Sequence, residues 1–176
     1  MLSLCEILAK YDTDKNTYHS YGPVYETLLA PIREKAKIVL EVGIRAGGSI
    51  RAWRDYFPNA TIFGVDNRQE CIFQEERIVS VLADEREPGY MTEKLLGLLQ
   101  TGSVDFIVDD GSHDFQDQIM MLFTLWPFLK MDGIYVVEDC NDATGPLSRM
   151  PQVTTFDLRK PGRTHDDILQ VYVKKR

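Results

Sequence analysis

Five short apolar runs, each ending on or beside a carboxylate, constrain this chain more than anything else in it. Residues 38–42 carry Glu41 near their end, 61–65 lead into Asp66, and 78–82 end near Asp84. Residues 104–108 run into Asp109-Asp110, and 134–137 into Glu138-Asp139. Runs this short and this apolar read as strands buried on both faces. Helical segments lie between them. One passes through Trp53 to Tyr56 and breaks at Pro58-Asn59, one covers 91–99, and Phe115, Ile119, Leu122, Phe123 and Trp126 mark a third with one broad apolar face. Such alternation predicts a parallel sheet with right-handed crossovers. The carboxylates then gather at one edge of the sheet, where open α/β proteins put their chemistry.

The flanks differ from this core. Ser3-Leu4-Cys5-Glu6 has the form of a capping box, and Leu4, Ile7, Leu8 and Tyr11 follow at helical spacing. Residues 12–22 (DTDKNTYHSYG) are polar and irregular, after which Pro23 starts a second helix that Pro31 ends or bends. Met131-Asp132-Gly133 reads as a turn before the fifth strand. At the tail, 153–158 and 168–173 are strand-like, with only 159–167 (including Pro161-Gly162) between them, which is a hairpin and not a crossover. The expectation is an α/β, Rossmann-like fold with a mostly parallel seven-stranded sheet, an antiparallel hairpin at its end and helices on both faces. Its 176 residues form one domain: a helical cap over 1–36, a cofactor and metal core over 37–140 and a hairpin over 153–176.

Net charge is −7, which argues against a large nucleic-acid footprint, so no nucleic acid is expected as partner. No run reaches the length of a membrane span and residues 1–10 lack the layout of a signal peptide, so no membrane partner is expected either. Cys5, Cys71 and Cys140 are far apart and in no CxxC arrangement, which fits a reducing, cytoplasmic setting.

Glu41-Val42-Gly43-Ile44-Arg45-Ala46-Gly47-Gly48-Ser49 follows a strand and opens a helix, the context of a cofactor loop. The spacing Gly43, Gly47, Gly48 is not G-x-G-x-x-G, and a tight turn without a ligand is the plain alternative. Asp66, ending the next strand, is placed to accept both hydroxyls of a ribose. A pyrophosphate at the helix N-terminus would sit badly beside Glu41. An acid there suits a cofactor with an ammonium group and no phosphate, which is S-adenosylmethionine.

With the strand, acid and Gly loop as a first motif and Asp66 as a ribose acid, the chain resembles the class I S-adenosylmethionine-dependent methyltransferases. More narrowly it resembles the metal-dependent sugar O-methyltransferases of macrolide biosynthesis. The matching stretches are Thr13-Asp14-Lys15 with His19-Ser20-Tyr21, residues 40–53 with Tyr56-Phe57-Pro58-Asn59-Ala60, residues 109–113 and residues 136–139. The resemblance implies Thr13 near the methionine end of the cofactor, Glu41 and Gly43 under the methionyl group, Asp66 on the ribose, and Ala83-Asp84 beside the adenine. The residues alone support Asp66; for Asp84 they offer only its strand-end position, which suits a solvated surface acid equally. Members of that type carry a further N-terminal domain that helps build a tetramer; this chain begins almost at Thr13-Asp14-Lys15, so the expectation is a chain without that domain, its quaternary state open and a homo-oligomer among the alternatives.

Hard cations such as Mg²⁺ take oxygen ligands. Asp110, Glu138 and Asp139 supply three, provided the chain turns at Glu138-Asp139, since neighbours on an extended strand point to opposite faces. The resemblance favours Asp110 as ligand, with Asp110 also counted among the cofactor-binding residues, and leaves Asp109 as a group behind the ligands or facing the cofactor. His113, between the carboxylates and the Gly loop, is the candidate general base, because imidazole titrates near neutrality. His19 is the weaker candidate, lining the entrance or touching the cofactor; His165 reads as a structural or surface residue and Cys140 as packing. Together these predict a Mg²⁺-dependent O-methyltransferase acting on a hydroxyl of a sugar, glycosylated small molecule or glycan. Two other readings stand beside it: a non-catalytic or partner-dependent cofactor-binding module, and an NAD-linked oxidoreductase, which Asp66 suits but Glu41 and the loop spacing do not.

Overall fold

The computed structural model describes residues 1–144, 146–149, 152–161 and 166–175; Gly162 and His165 lie outside them. Strands β1 (Ile38–Val42), β2 (Thr61–Asp66), β3 (Gln74–Glu75), β4 (Ile78–Leu82), β5 (Val104–Asp109), β6 (Leu129–Val137), β7 (Val153–Asp157) and β8 (Ile168–Val173) form one sheet in the order β3-β4-β2-β1-β5-β6-β8-β7. β4, β2, β1, β5 and β6 pair in parallel. β8 is antiparallel to both β6 and β7, so the last strand is inserted inside the edge strand that precedes it. The eighth strand beyond the seven expected is β3, two exposed polar residues lying antiparallel on β4 with no apolar pattern to announce them.

The helices are α1 (Leu4–Leu8), α2 (Gly22–Leu29), α3 (Gly48–Tyr56), α4 (Pro88–Leu96) and α5 (Phe115–Leu125). The capping box at Ser3 forms on both sides. Pro31 falls in a single 3-10 turn, Ala30–Ile32, that finishes α2. Alternate strand residues feed two cores. Val39, Phe106 and Val108 pack with α1, α2 and α3 through Leu4, Tyr25 and Trp53, while Leu40, Ile107 and Tyr135 pack with α4 and α5 through Met91, Leu95, Met121 and Leu125. Central parallel strands covered on both faces account for their unbroken apolar runs.

One local expectation changes. β6 starts at Leu129 and runs through Met131-Asp132-Gly133, with a register shift against β5 between Val104 and Phe106. Backbone bonds from Asp132 N–H to Lys174 O and from Lys174 N–H to Gly133 O hold this stretch in the sheet despite the positive φ of Asp132. After β6, a single 3-10 turn (Pro146–Arg149) precedes β7 among the described residues.

Candidate active site

The Gly turn is shaped by backbone contact. At Gly43, where φ is +91°, a Cβ would lie 1.9 Å from the carbonyl oxygen of Asp110, so the ends of β1 and β5 meet main chain to main chain. Asp66 closes the turn from the side: its Oδ2 accepts from the N–H groups of Ile44 (2.9 Å) and Arg45 (3.0 Å), and its Oδ1 from Arg68 (2.9 Å). Burial works to raise this carboxyl, but the bonds from Arg45, Arg68 and Ile44 outweigh it and hold the group below the usual range.

A cavity of about 450 Å³ opens above the turn. Thr13, Gly43, Asp66, Ala83 and Asp110, all expected at a cofactor, line it, as do His113 and Asp139. Asp84 and Glu41 do not. Asp84 folds onto Arg86 (Nη2 to Oδ2, 2.6 Å), which brings its carboxyl down to about 2. Its neighbour Glu85 reaches the cavity wall instead, 7% exposed and packed where Gly111 leaves room. A strand-end rule points at this stretch but cannot choose between adjacent acids, since that depends on where the chain turns after Leu82.

Glu41 lies wholly buried beneath the turn. Its Oε2 accepts from Ser49 Oγ (2.9 Å) and Trp53 Nε1 (3.1 Å), tying β1 to α3, and its Oε1 faces Lys15 Nζ at 3.2 Å. Burial pushes its carboxyl up to about 7, against the pull of Lys15. Lys15 had no role assigned from the sequence, although it belongs to the Thr13-Asp14-Lys15 stretch. Its side chain, 1% exposed, also meets Asp110 Oδ2 at 2.6 Å and Glu138 Oε2 at 2.8 Å.

Asp139, just after β6, has φ +52°. The turn does not bring the two acids together: they still diverge, as strand neighbours do. Asp139 faces the cavity and accepts from Tyr21 Oη at 2.5 Å, whereas Glu138 points inward, where Tyr25 Oη and Lys15 Nζ occupy its oxygens. Burial pushes Glu138 well above the usual carboxylate range, with Lys15 opposing. His113, also at positive φ (+60°), sits with Nε2 3.1 Å from Asp110 Oδ1 and Nδ1 3.5 Å from Asp139 Oδ2. The bond to Asp110 leads in raising its pKa to about 9, with burial opposing and Asp139 adding. One donor atom from each of Asp110, His113 and Asp139 lies within 4.8 Å of the others. Two carboxylates so close to one another fit a hard divalent cation, with an imidazole beside it.

The remaining candidates fall outside this cluster. Asp109 is buried on the far face beside Tyr135 Oη (3.4 Å). His19 is buried, stacked on Tyr21 between Asp139 (3.6 Å) and Asp167 (3.5 Å), and does not line the cavity. Cys140 is buried with its thiol against the Val137 carbonyl. Burial raises its pKa, which leaves it a packing residue.

The sheet, with the Gly turn after β1 and Asp66 after β2, has the Rossmann-like fold of the class I S-adenosylmethionine-dependent methyltransferases. Its relatives narrow the description. The 8-demethyl-8-alpha-L-rhamnosyl tetracenomycin-C 2'-O-methyltransferase of Streptomyces olivaceus is 32% identical over 150 residues, covering 81% of this chain and 39% of the relative. The demethylmacrocin O-methyltransferase of Streptomyces fradiae is 32% identical over 151 residues, covering 81% and 38%. Among solved structures, the MycE methyltransferase from the mycinamycin biosynthetic pathway, in complex with Mg, SAH and mycinamycin VI, superposes with a TM-score of 0.80 at 21% identity, covering 99% of this chain and 55% of that one. This chain thus spans about two fifths of the length of these curated relatives. No family model matches it. The resemblance to sugar O-methyltransferases read from the sequence stands.

Proposed function

We propose that this chain carries the cofactor and metal site of an S-adenosylmethionine- and Mg²⁺-dependent O-methyltransferase, acting on a hydroxyl of a sugar or glycosylated small molecule in the cytoplasm. The observation that carries the reading is the meeting of Asp110, His113 and Asp139 in the cavity whose other wall is Gly43, Asp66 and Ala83. The relatives named above as O-methyltransferases, one of them for a rhamnosyl tetracenomycin, support the acceptor class. MycE, solved with Mg and SAH, supports the pair of cofactors.

In this reading S-adenosylmethionine supplies an electrophilic methyl group and Mg²⁺ a Lewis acid for an alcohol. Asp66 orients the ribose, with the turn fixed around it before any ligand arrives. Asp110 and Asp139 would hold the cation; Glu138 would join them only by giving up its bond to Lys15 or Tyr25. His113 accepts the acceptor's hydroxyl proton, with Nδ1 the freer ring nitrogen at 3.5 Å from Asp139. Its elevated pKa is set chiefly by Asp110 and Asp139, so charge neutralised on those acids brings it back toward the range a base needs at neutral pH. S-adenosylmethionine would supply the methyl group to the acceptor oxygen, and the chain's own contribution would be chiefly to position that oxygen through Asp110, Asp139 and His113.

The test is calorimetry and transfer with radiolabelled S-adenosylmethionine to rhamnosylated and macrolide acceptors. His113→Ala should lower transfer by about 10²–10⁴-fold while leaving the Kd for S-adenosylhomocysteine within about twofold, and EDTA should stop transfer in the wild type. An absence of S-adenosylhomocysteine binding by calorimetry, or NAD stabilising the chain in its place, would sink the reading.

A further inference from the structure

Lys15 is the feature that the proposed chemistry does not use. A lysine ammonium at 1% exposure is costly unless paired, and this one meets carboxylates from three strand ends: Glu41 of β1, Asp110 after β5 and Glu138 after β6. It comes from outside the sheet, on the loop between α1 and α2, and that loop is fixed to the Gly turn. A Cβ on Gly48 would lie 1.9 Å from the carbonyl oxygen of Asp12, so the loop backbone lies directly on the start of α3. The same stretch of chain delivers the hydroxyls of Tyr21 to Asp139 and Tyr25 to Glu138. Four carboxylates therefore converge, and the one buried ammonium on them takes Glu41, Glu138 and a single oxygen of Asp110. The other Asp110 oxygen is left to His113 and the cavity.

We propose that Lys15 is a positioning residue that serves as a resident counter-cation, dividing the four acids into an internal set and a cavity-facing set and so fixing where a divalent cation can bind. This rests on the metal reading above. A protein cation held among these acids repels a second cation from them, and it turns Asp110 so that only Oδ1 is offered outward. Without it the acids form one undivided negative cluster that draws cations into the space the ammonium held.

The experiment uses Mn²⁺ as probe on wild type, Lys15→Met and Lys15→Arg, with calorimetric titration and thermal unfolding in EDTA and in Mn²⁺. Lys15→Met should unfold at lower temperature than wild type in EDTA, gain more from Mn²⁺, and bind Mn²⁺ about tenfold more tightly or with a second equivalent, a tenfold change being about 1.4 kcal/mol. Lys15→Arg should keep the wild-type stoichiometry. A residue that merely fills space would lower the unfolding temperature of Lys15→Met without altering its response to Mn²⁺, and that result overturns the proposal. If Lys15→Met does not fold in EDTA, the Lys15→Met/Glu138→Gln pair removes one charge of each sign. It should restore cooperative unfolding and abolish the heightened Mn²⁺ response; failure to do so also overturns the proposal. Failure of the metal reading looks different: wild type would bind no Mn²⁺, while Lys15→Met would still acquire binding if the ammonium is the resident cation.

Discussion

The two faces of the acid cluster use the same residue type for opposite purposes. On the inner face, Glu41 and Glu138 have their oxygens committed to Ser49, Trp53, Lys15 and Tyr25, all buried, and they tie the Gly turn, α3 and the α1–α2 loop to the sheet. On the outer face, Asp110 Oδ1 and Asp139 present themselves to the cavity, with His113, Tyr21 and His19 as their side-chain partners among the described residues. The first set is architecture and the second is free for chemistry. The difference arises because Glu138 and Asp139, adjacent at the end of β6, point opposite ways, and from which oxygen of Asp110 the ammonium takes. Asp110 belongs to both faces.

Asp110→Asn should therefore give the largest effect and is the sharpest way to break the comparison. It removes charge from the ion site, the Lys15 partner and the His113 partner at once. Methyl transfer should fall by about a thousandfold, or about 4 kcal/mol of transition-state stabilisation. Single-turnover assay with thermal unfolding checks this; loss of activity without loss of stability would mean that Asp110 serves the outer face alone.

Glu41→Gln sharpens the same contrast through pH. The folded-state value of about 7 lies above the unfolded value, so the folded chain holds a proton on Glu41 more firmly. The stability this contributes is fully present below pH 4.5 and is lost as pH rises through 7. Glutamine does not titrate, so between pH 4.5 and 7.5 the stability difference should move in favour of Glu41→Gln by about 3 kcal/mol, read from urea unfolding across that range. Asp139→Asn should behave in the reverse manner, with Mn²⁺ affinity down by about tenfold, some 1.4 kcal/mol, and little change in unfolding. If the two variants exchanged signatures, the assignment of inner and outer faces would be wrong.

The sequence makes much of this legible. Short apolar runs carrying terminal acids are enough to find the parallel core, and Asp66, His113 and the acid pairs at 109–110 and 138–139 are reached from strand ends and turn chemistry, whereas Gly43 as a cofactor contact and Asp110 over Asp109 rest on the resemblance. What the one-dimensional pattern cannot carry is the direction a side chain takes once a strand has ended. Glu138 and Asp139 are equivalent as letters and opposite in space. Lys15 lies 95 residues from Asp110 and 123 from Glu138, on a loop without periodicity, so nothing local to it foretells a buried ammonium. β3 escapes for a related reason: two polar residues on an edge strand carry no burial pattern.

The smallest expected effect tests that same limit at the end of β4. Asp84 is paired with Arg86 outside the cavity, whereas Glu85 stands in its wall, so adjacent acids again divide into a surface role and a site role. Asp84→Asn breaks a solvent-exposed pair of little weight and should leave the Kd for S-adenosylhomocysteine within about twofold. Glu85→Gln removes a carboxylate from the wall that faces the cofactor in the proposed reading, and should weaken that Kd by about three- to tenfold, the scale of one hydrogen bond. Calorimetry on the two variants side by side decides it. A larger loss for Asp84→Asn would mean that the loop after β4 rearranges around the ligand and exchanges the two acids, which would make this stretch, unlike the turn fixed by Asp66, a part of the site that forms only on binding.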